Sequence, residues 1–315
     1  MKRIVLSLFA ALAAVPLMAA AQHTRLILPV SAGSGVDTIA RAAQNALSKT
    51  LAQQVVIENL PGAGGITGTH AIVKAAPDGR TIGIVSNNHV INPNVFKSMP
   101  FDSIADITPI SVVGSTPFVL VVHPDVPAKS VPELIAFLKA KPGAYNYASA
   151  GNGTIIHLAG EMFVSEAGVE VRHVPYKGTG PMLQDLMSGQ VQFGVSALPA
   201  VQGHLKTGRL RAIGVGGKSR AAAAPEIPTV AEQGLPNYEV AGWFAFVGPA
   251  GLPAADVNRL HAAIVSAFAD PEVVAAMAKQ GNAINPMTPA QSAQYFRSEV
   301  ERMGRIVKRA GVKIE

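Results

Sequence analysis

At 315 residues the chain is long enough for two domains, and 15% charged against 49% hydrophobic residues allows a sizeable core and excludes a disordered chain. It has no cysteine, which excludes disulfides and a lipid-anchoring cysteine. The net charge of +6 falls to +4 without Lys2 and Arg3, and the other basic residues are scattered, so no nucleic-acid surface is expected.

The chain starts with Lys2 and Arg3, an apolar run over 4–18, and Ala19 and Ala21 at A-x-A spacing. This pattern predicts a secretory signal peptide over residues 1–21, cleaved before Gln22. No later apolar run reaches the ~20 residues that a membrane helix needs. A soluble, exported protein of the bacterial periplasm is therefore expected.

Strands and helices then alternate. A strand over 26–28 leads to a helix over 37–51 with Ile39, Ala40, Ala43, Leu47 and Leu51 on one face. Strands over 55–57 and 81–85 flank a helix over 66–76. The middle repeats the plan, with strands over 118–122, 145–148, 171–174, 191–195 and 211–215. SVPE at 130–133 reads as a capping box, Thr154 as an N-cap, and Pro181 as a helix start. The tail is mainly helical. TPAQ at 288–291 opens a helix that carries Phe296, Val300, Met303 and Val307 on one face. Such βαβ alternation predicts an α/β protein with a mostly parallel sheet in each of two domains. Runs at 117–124 and 241–249 would carry the chain out and back. The first domain would hold 22–118 and 244–315, and the second would be an insertion over 119–243.

In open α/β sheets ligands sit beyond the carboxyl ends of strands, where helix N-termini point inward. Three loops fit. PVSAGSGVD at 29–37 offers Ser31, Gly33, Ser34, Gly35, Val36 and Asp37. SNNH at 86–89 offers Ser86, Asn87 and His89. The loop at 149–154 offers Ser149, Gly151, Gly153 and Thr154, with His157 one turn into its helix. Glycines let backbone approach a ligand closely, and free N–H groups bind anions. Glycines that only turn the chain are the plainer alternative for any single loop.

Other chemistry is weakly signalled. Thr38 stands at the third glycine of a dinucleotide fingerprint, and Ala212 at the first glycine of a P-loop ending in GKS at 217–219. YASAG at 147–151 fails the serine-nucleophile elbow at its first position. His157 and Glu161 share a helical face, but no third metal ligand accompanies them. Trp243, Phe244 and Phe246 read as core or hinge packing. No cofactor and no metal are expected.

Several stretches together resemble one family. They are the Gly33 loop with Asp37 and Arg41, ENLPGAGG at 58–65, KAAPDG at 74–79, NYASAGNGT at 146–154 with His157 and Leu158, VPYKG at 174–178, and PTVAE at 228–232. The chain resembles the Bug-type periplasmic solute-binding receptors of the tripartite tricarboxylate transporter system over nearly its whole mature length. The resemblance implies a two-domain Venus-flytrap fold of the type II periplasmic-binding class. It implies a carboxylate held between two loops, partly by main chain and ordered water, with Tyr176 and Ser196 joining the ligand-binding set. It also implies a monomer that delivers its ligand to a permease of one large and one small membrane subunit. Two departures stand out. The family's first loop commonly reads F-P-x-G-G-x-x-D, and here Val30, Ser31 and Ser34 replace the aromatic, the proline and one glycine. Many members carry an aspartate where Ser196 stands, and its absence argues against an amino-acid ligand. The alternatives are an exported α/β hydrolase using Ser149 and an orphan receptor feeding a sensor protein.

Overall fold

The computed structural model describes residues 23–310 and 312; the expected leader and its cleavage point before Gln22 lie outside them. The first lobe begins with β1 (His23–Leu28), α1 (Gly35–Leu51), β2 (Gln54–Asn59), α2 (Ile66–Val73), β3 (Thr81–Ser86) and the single turn α3 (Asn88–Ile91). The strand β4 (Ile107–Val122) then runs for 16 residues into the second lobe. There follow α4 (Val131–Lys139), β5 (Asn146–Ser149), α5 (Ile155–Ala167), β6 (Arg172–Pro175), α6 (Thr179–Met187), β7 (Phe193–Ala197), α7 (Leu198–Lys206) and β8 (Arg211–Val215). β9 (Ala241–Pro249) returns to the first lobe, followed by α8 (Ala254–Phe268), α9 (Pro271–Gln280), β10 (Ala283–Ile284) and α10 (Pro289–Ala310). Among the described residues no single helix is long and apolar enough to cross a membrane.

The strand order is β2-β1-β3-β9-β4-β7-β5-β6. Within each lobe the βαβ strands run parallel: β2, β1 and β3 in the first, β6, β5 and β7 in the second. Among the described residues every antiparallel pairing involves β4 or β9, the strands that join the lobes. β4 pairs with β9 from Ile107 to Pro117 and with β7 from Phe118 onward, so the change of partner falls at one peptide bond.

Helices form where caps and apolar stripes coincide. Ser34 caps α1 by accepting the Asp37 amide, and Ile39, Ala43 and Leu47 bury that helix against the sheet. Thr154 caps α5 by accepting the His157 amide. Thr288 and Gln291 exchange hydrogen bonds at the start of α10. One core packs α1 and α8 on the first lobe's sheet around Phe244, Phe246 and Phe268. The other fills the second lobe around Tyr147, Phe163 and Phe193 and continues into the hinge at Trp243 and Phe296.

Candidate functional site

The two lobes close on a cavity of about 600 Å³. Its walls come from both lobes, because the loops after β1, β3, β5, β6 and β7 all open at the same edge of the sheet. The first expected loop contributes Ser31, Ser34, Gly35 and Val36 to the wall. The second contributes Ser86, Asn87 and Asn88, and the third Ala150, Gly151, Asn152 and Thr154. Tyr176 and Ser196 also line the cavity.

Cross-cleft bonds hold the lobes shut. The Gly180 amide in α6 donates to Ser31 Oγ at 3.2 Å. The Ile155 amide in α5 donates to Asn88 Oδ1 at 2.8 Å. Ser31 thus supplies a hydroxyl that ties one helix N-terminus to the opposite lobe.

The remaining helix-start amides are the chemistry of the site. Gly35 and Val36 are the first two residues of α1, Ile156 is the second of α5, and Thr179 is the first of α6. All four line the cavity, and their N–H groups lie ahead of the first intrahelical hydrogen bond. Each helix start also carries roughly half a positive charge. No aspartate or glutamate lines the cavity among the described residues, and Lys177 is the single charged side chain on its wall. Such a site favours an anion.

Six expected residues stand behind the wall instead of on it. Asp37 is buried and accepts from the Gly33 amide, from Arg41 and from Asn59. Burial pushes its pKa up, but the Arg41 guanidinium and the two other donors outweigh this and hold it below the usual carboxylate value. Asp37 and Gly33 therefore shape the first loop from within. His89 is turned into the core by the tight turn of α3. Its Nε2 meets the Ser103 carbonyl at 2.6 Å and its ring stacks on Phe101. It was expected at the ligand because of its place after β3; the helical turn rotates it away.

Ser149, Gly153 and His157 belong to a second layer under the third loop. Ser149 is fully buried, accepts the Gly151 amide at 3.1 Å, and lies 2.6 Å from His173 Nε2. His157 Nδ1 accepts the Gly153 amide at 3.2 Å, and its ring stacks on His173 at 4.1 Å. Glu161 lies 3.6 Å from His157 Nε2 and accepts the Tyr147 hydroxyl. Burial, reinforced by His157, depresses the His173 pKa to about 4. The serine's partner is His173, which the sequence does not single out; it comes from the neighbouring strand, where Tyr147 and His173 sit in register. A serine with no exposed surface, off the cavity wall, is placed to brace the loop and not to attack a substrate.

Sequence reading also missed parts of the wall. ENLPGAGG at 58–65 supplies five lining residues, Pro61 to Gly65. Thr116 and Phe118 of β4 and Trp243 of β9 form the floor. Trp243 donates its indole N–H to Glu299 Oε2 at 3.1 Å, which fixes the ring.

His89 sets a pH dependence of stability. Full burial depresses its pKa from 6.5 to about 4, partly countered by the Ser103 carbonyl. The unfolded chain takes up a proton near pH 6.5 that the folded chain refuses until about pH 4. The contribution is intact above pH 6.5 and is lost as the pH falls, at up to ~1.4 kcal/mol per unit. Partly exposed His173 adds a smaller loss of the same sign. Urea titrations at pH 7, 6 and 5 should show stability falling in that order, and His89→Gln should flatten the trend. A wild-type protein equally stable at all three would show that native His89 takes up its proton as readily as it does in the unfolded chain.

A cleft between two α/β lobes, edged by inward-pointing helix N-termini, defines a two-lobed solute-binding protein. The model of the tripartite tricarboxylate transporter family receptors (TctC) matches residues 39–312, and the chain belongs to that family as a Bug-type receptor. Protein BugT of Bordetella pertussis is 34% identical over 297 residues, 94% of this chain and 91% of BugT. The solved structure of R. palustris Rpa4515 with adipate shares 29% identity at a TM-score of 0.89, covering 93% of this chain and 98% of that one. MatC (Rpa3494) of Rhodopseudomonas palustris with bound malate shares 28% at a TM-score of 0.85, covering 90% and 98%.

Proposed function

We propose that the chain is an extracytoplasmic receptor that captures a small organic acid in the periplasm. In this reading the carboxylate sits at the N-termini of α1, α5 and α6, and the loaded receptor docks as a monomer on a permease of one large and one small membrane subunit. The observation that carries it is that the helix-start residues Gly35, Val36, Ile156 and Thr179 line a cavity with no carboxylate on its wall among the described residues. The adipate and malate held by the two relatives are acids of this chemistry. The buried Ser149 favours binding over hydrolysis.

A thermal-shift screen of carboxylic acids tests the reading. An acid at ~100 times its dissociation constant should stabilise the native state by ~2.7 kcal/mol. Trp243 is the only tryptophan and lines the cavity, so its emission should respond to the same acid, which should be recovered unchanged. Stabilisation by neutral or cationic solutes alone would refute the anion site, and consumption of the acid would favour the hydrolase.

A further inference from the structure

The floor of the cavity carries polar groups that the anion clamp does not use. Thr116 on β4 and Ser196 on β7 are 7% and 0% exposed, and both line the cavity. Neither hydroxyl oxygen has a hydrogen-bond partner among the described residues. Buried hydroxyls are rarely left unpaired, because the desolvation they suffer is then uncompensated. Their placement on the cavity floor makes the ligand their natural partner.

The surroundings say what kind of group that partner is. Phe118 and Trp243 line the same cavity with aromatic carbon. The Glu299 carboxylate behind Trp243 is engaged by the indole N–H and by Arg302, so neither that carboxylate nor the Arg302 guanidinium paired with it is free for a ligand. Lys177, the lone charged residue of the wall, is exposed and follows β6 at the far edge of the sheet from β4. α7 starts two residues after Ser196, but its second residue is Pro199, which has no N–H, and Leu198 lies off the wall. A second carboxylate at the floor would therefore be buried beside two hydroxyls and aromatic carbon with no cation to offset it, which is costly. A neutral hydroxyl or carbonyl would satisfy both side chains, since each can donate and accept.

We propose that the ligand is a monoanionic acid with one carboxylate at the helix N-termini, an apolar body along Phe118 and Trp243, and a neutral hydrogen-bonding group at Thr116 and Ser196. This rests on the carboxylate-receptor reading above and narrows it. Malate-like and citrate-like acids, which carry further carboxylates, should fit this floor poorly.

Calorimetry on two matched series tests it: hexanoate, 6-hydroxyhexanoate and adipate, and benzoate, 4-hydroxybenzoate and terephthalate. In the series whose length suits the cavity, the hydroxy acid should bind at least about tenfold tighter than the diacid, and about three- to tenfold tighter than the unsubstituted acid. A variant carrying both Thr116→Val and Ser196→Ala should bring the ratio of hydroxy to unsubstituted acid close to one, with its unligated melting temperature within a few degrees of the parent. Diacids that bind tighter than their hydroxy partners overturn the proposal and leave the carboxylate receptor standing. So does a ratio that survives in the double variant. Binding by none of the six, in a protein stabilised by other carboxylates in the broader screen, also overturns it. A broader screen with no responding acid removes both readings.

Discussion

Gly153→Val is expected to abolish ligand binding while both lobes stay folded. Gly153 has φ +71°, and a branched residue held in that left-handed region costs ~1–2 kcal/mol. The larger effect is steric and acts between lobes. A Cβ at 153 would stand 2.7 Å from Val95 Cγ1 and 3.2 Å from Phe96 Cε2, both on the opposite side of the cleft. Opening the cleft would carry residue 153 away from both, whereas the closed form leaves no room for the side chain. A ligand that binds the closed form better must then work against that clash. Gly35→Ala separates the two causes. Gly35 has no positive φ, yet its Cβ would meet Ala197 Cβ across the cleft at 2.6 Å. It should weaken binding by roughly tenfold or more, the ~1.4 kcal/mol that a modest overpacking strain supplies. Val95→Ala should restore part of the affinity lost in Gly153→Val. Calorimetry and small-angle scattering on the variants read both quantities. Wild-type affinity in Gly153→Val would mean that the closed arrangement described here is not the ligand-bound one.

The second large effect should come from the ligand. Converting the bound acid's carboxylate to a primary amide should lower affinity about a hundredfold, equivalent to ~2.7 kcal/mol. Hydrogen bonds from N–H to an anion are about twice as strong as those to a neutral acceptor. The amide also brings its own NH₂ toward a wall that presents N–H donors at Gly35, Val36, Ile156 and Thr179, so donor faces donor. Equal affinities for acid and amide in calorimetry would remove the anion clamp.

Much of this site was legible because strand ends and glycine loops leave strong local marks. The loops at 29–37, 86–89 and 149–154 follow apolar strands, and each places residues on the cavity wall. What stayed hidden depends on rotation and on distant pairing. A rotation of roughly 100° per helical residue separates cavity-lining Asn88 from core-facing His89 in α3. His173 reaches Ser149 only because β5 and β6 pair in register. The first half of β4 was not read as a strand, since Pro109, Gly114 and Pro117 punctuate it. The register shifts between Pro109 and Ser111 and between Val112 and Gly114 absorb the first two of these, and Pro117 ends the pairing with β9. Trp243 therefore reads as core or hinge packing, and nothing in the sequence singles out Thr116 or Phe118. Both faces of these crossing strands are buried, so no alternation of polar and apolar residues marks the one that meets the cavity.

β9 lies between β3 and β4 in the sheet, although it comes 155 residues after the end of β3 by number. The first lobe to emerge during synthesis is thus the last to be completed. Until residues 241–249 are made, β3 has an open edge where its inner neighbour belongs, a surface that invites pairing with other chains. The second lobe, from Phe118 to Val240, is one continuous stretch and can assemble while the first waits. A nascent chain would therefore mature from its middle outward, and the C-terminal quarter acts as the wedge that makes the N-terminal quarter stable. Truncations just before Ala241 should be far more damaging, residue for residue, than their distance from the ligand suggests.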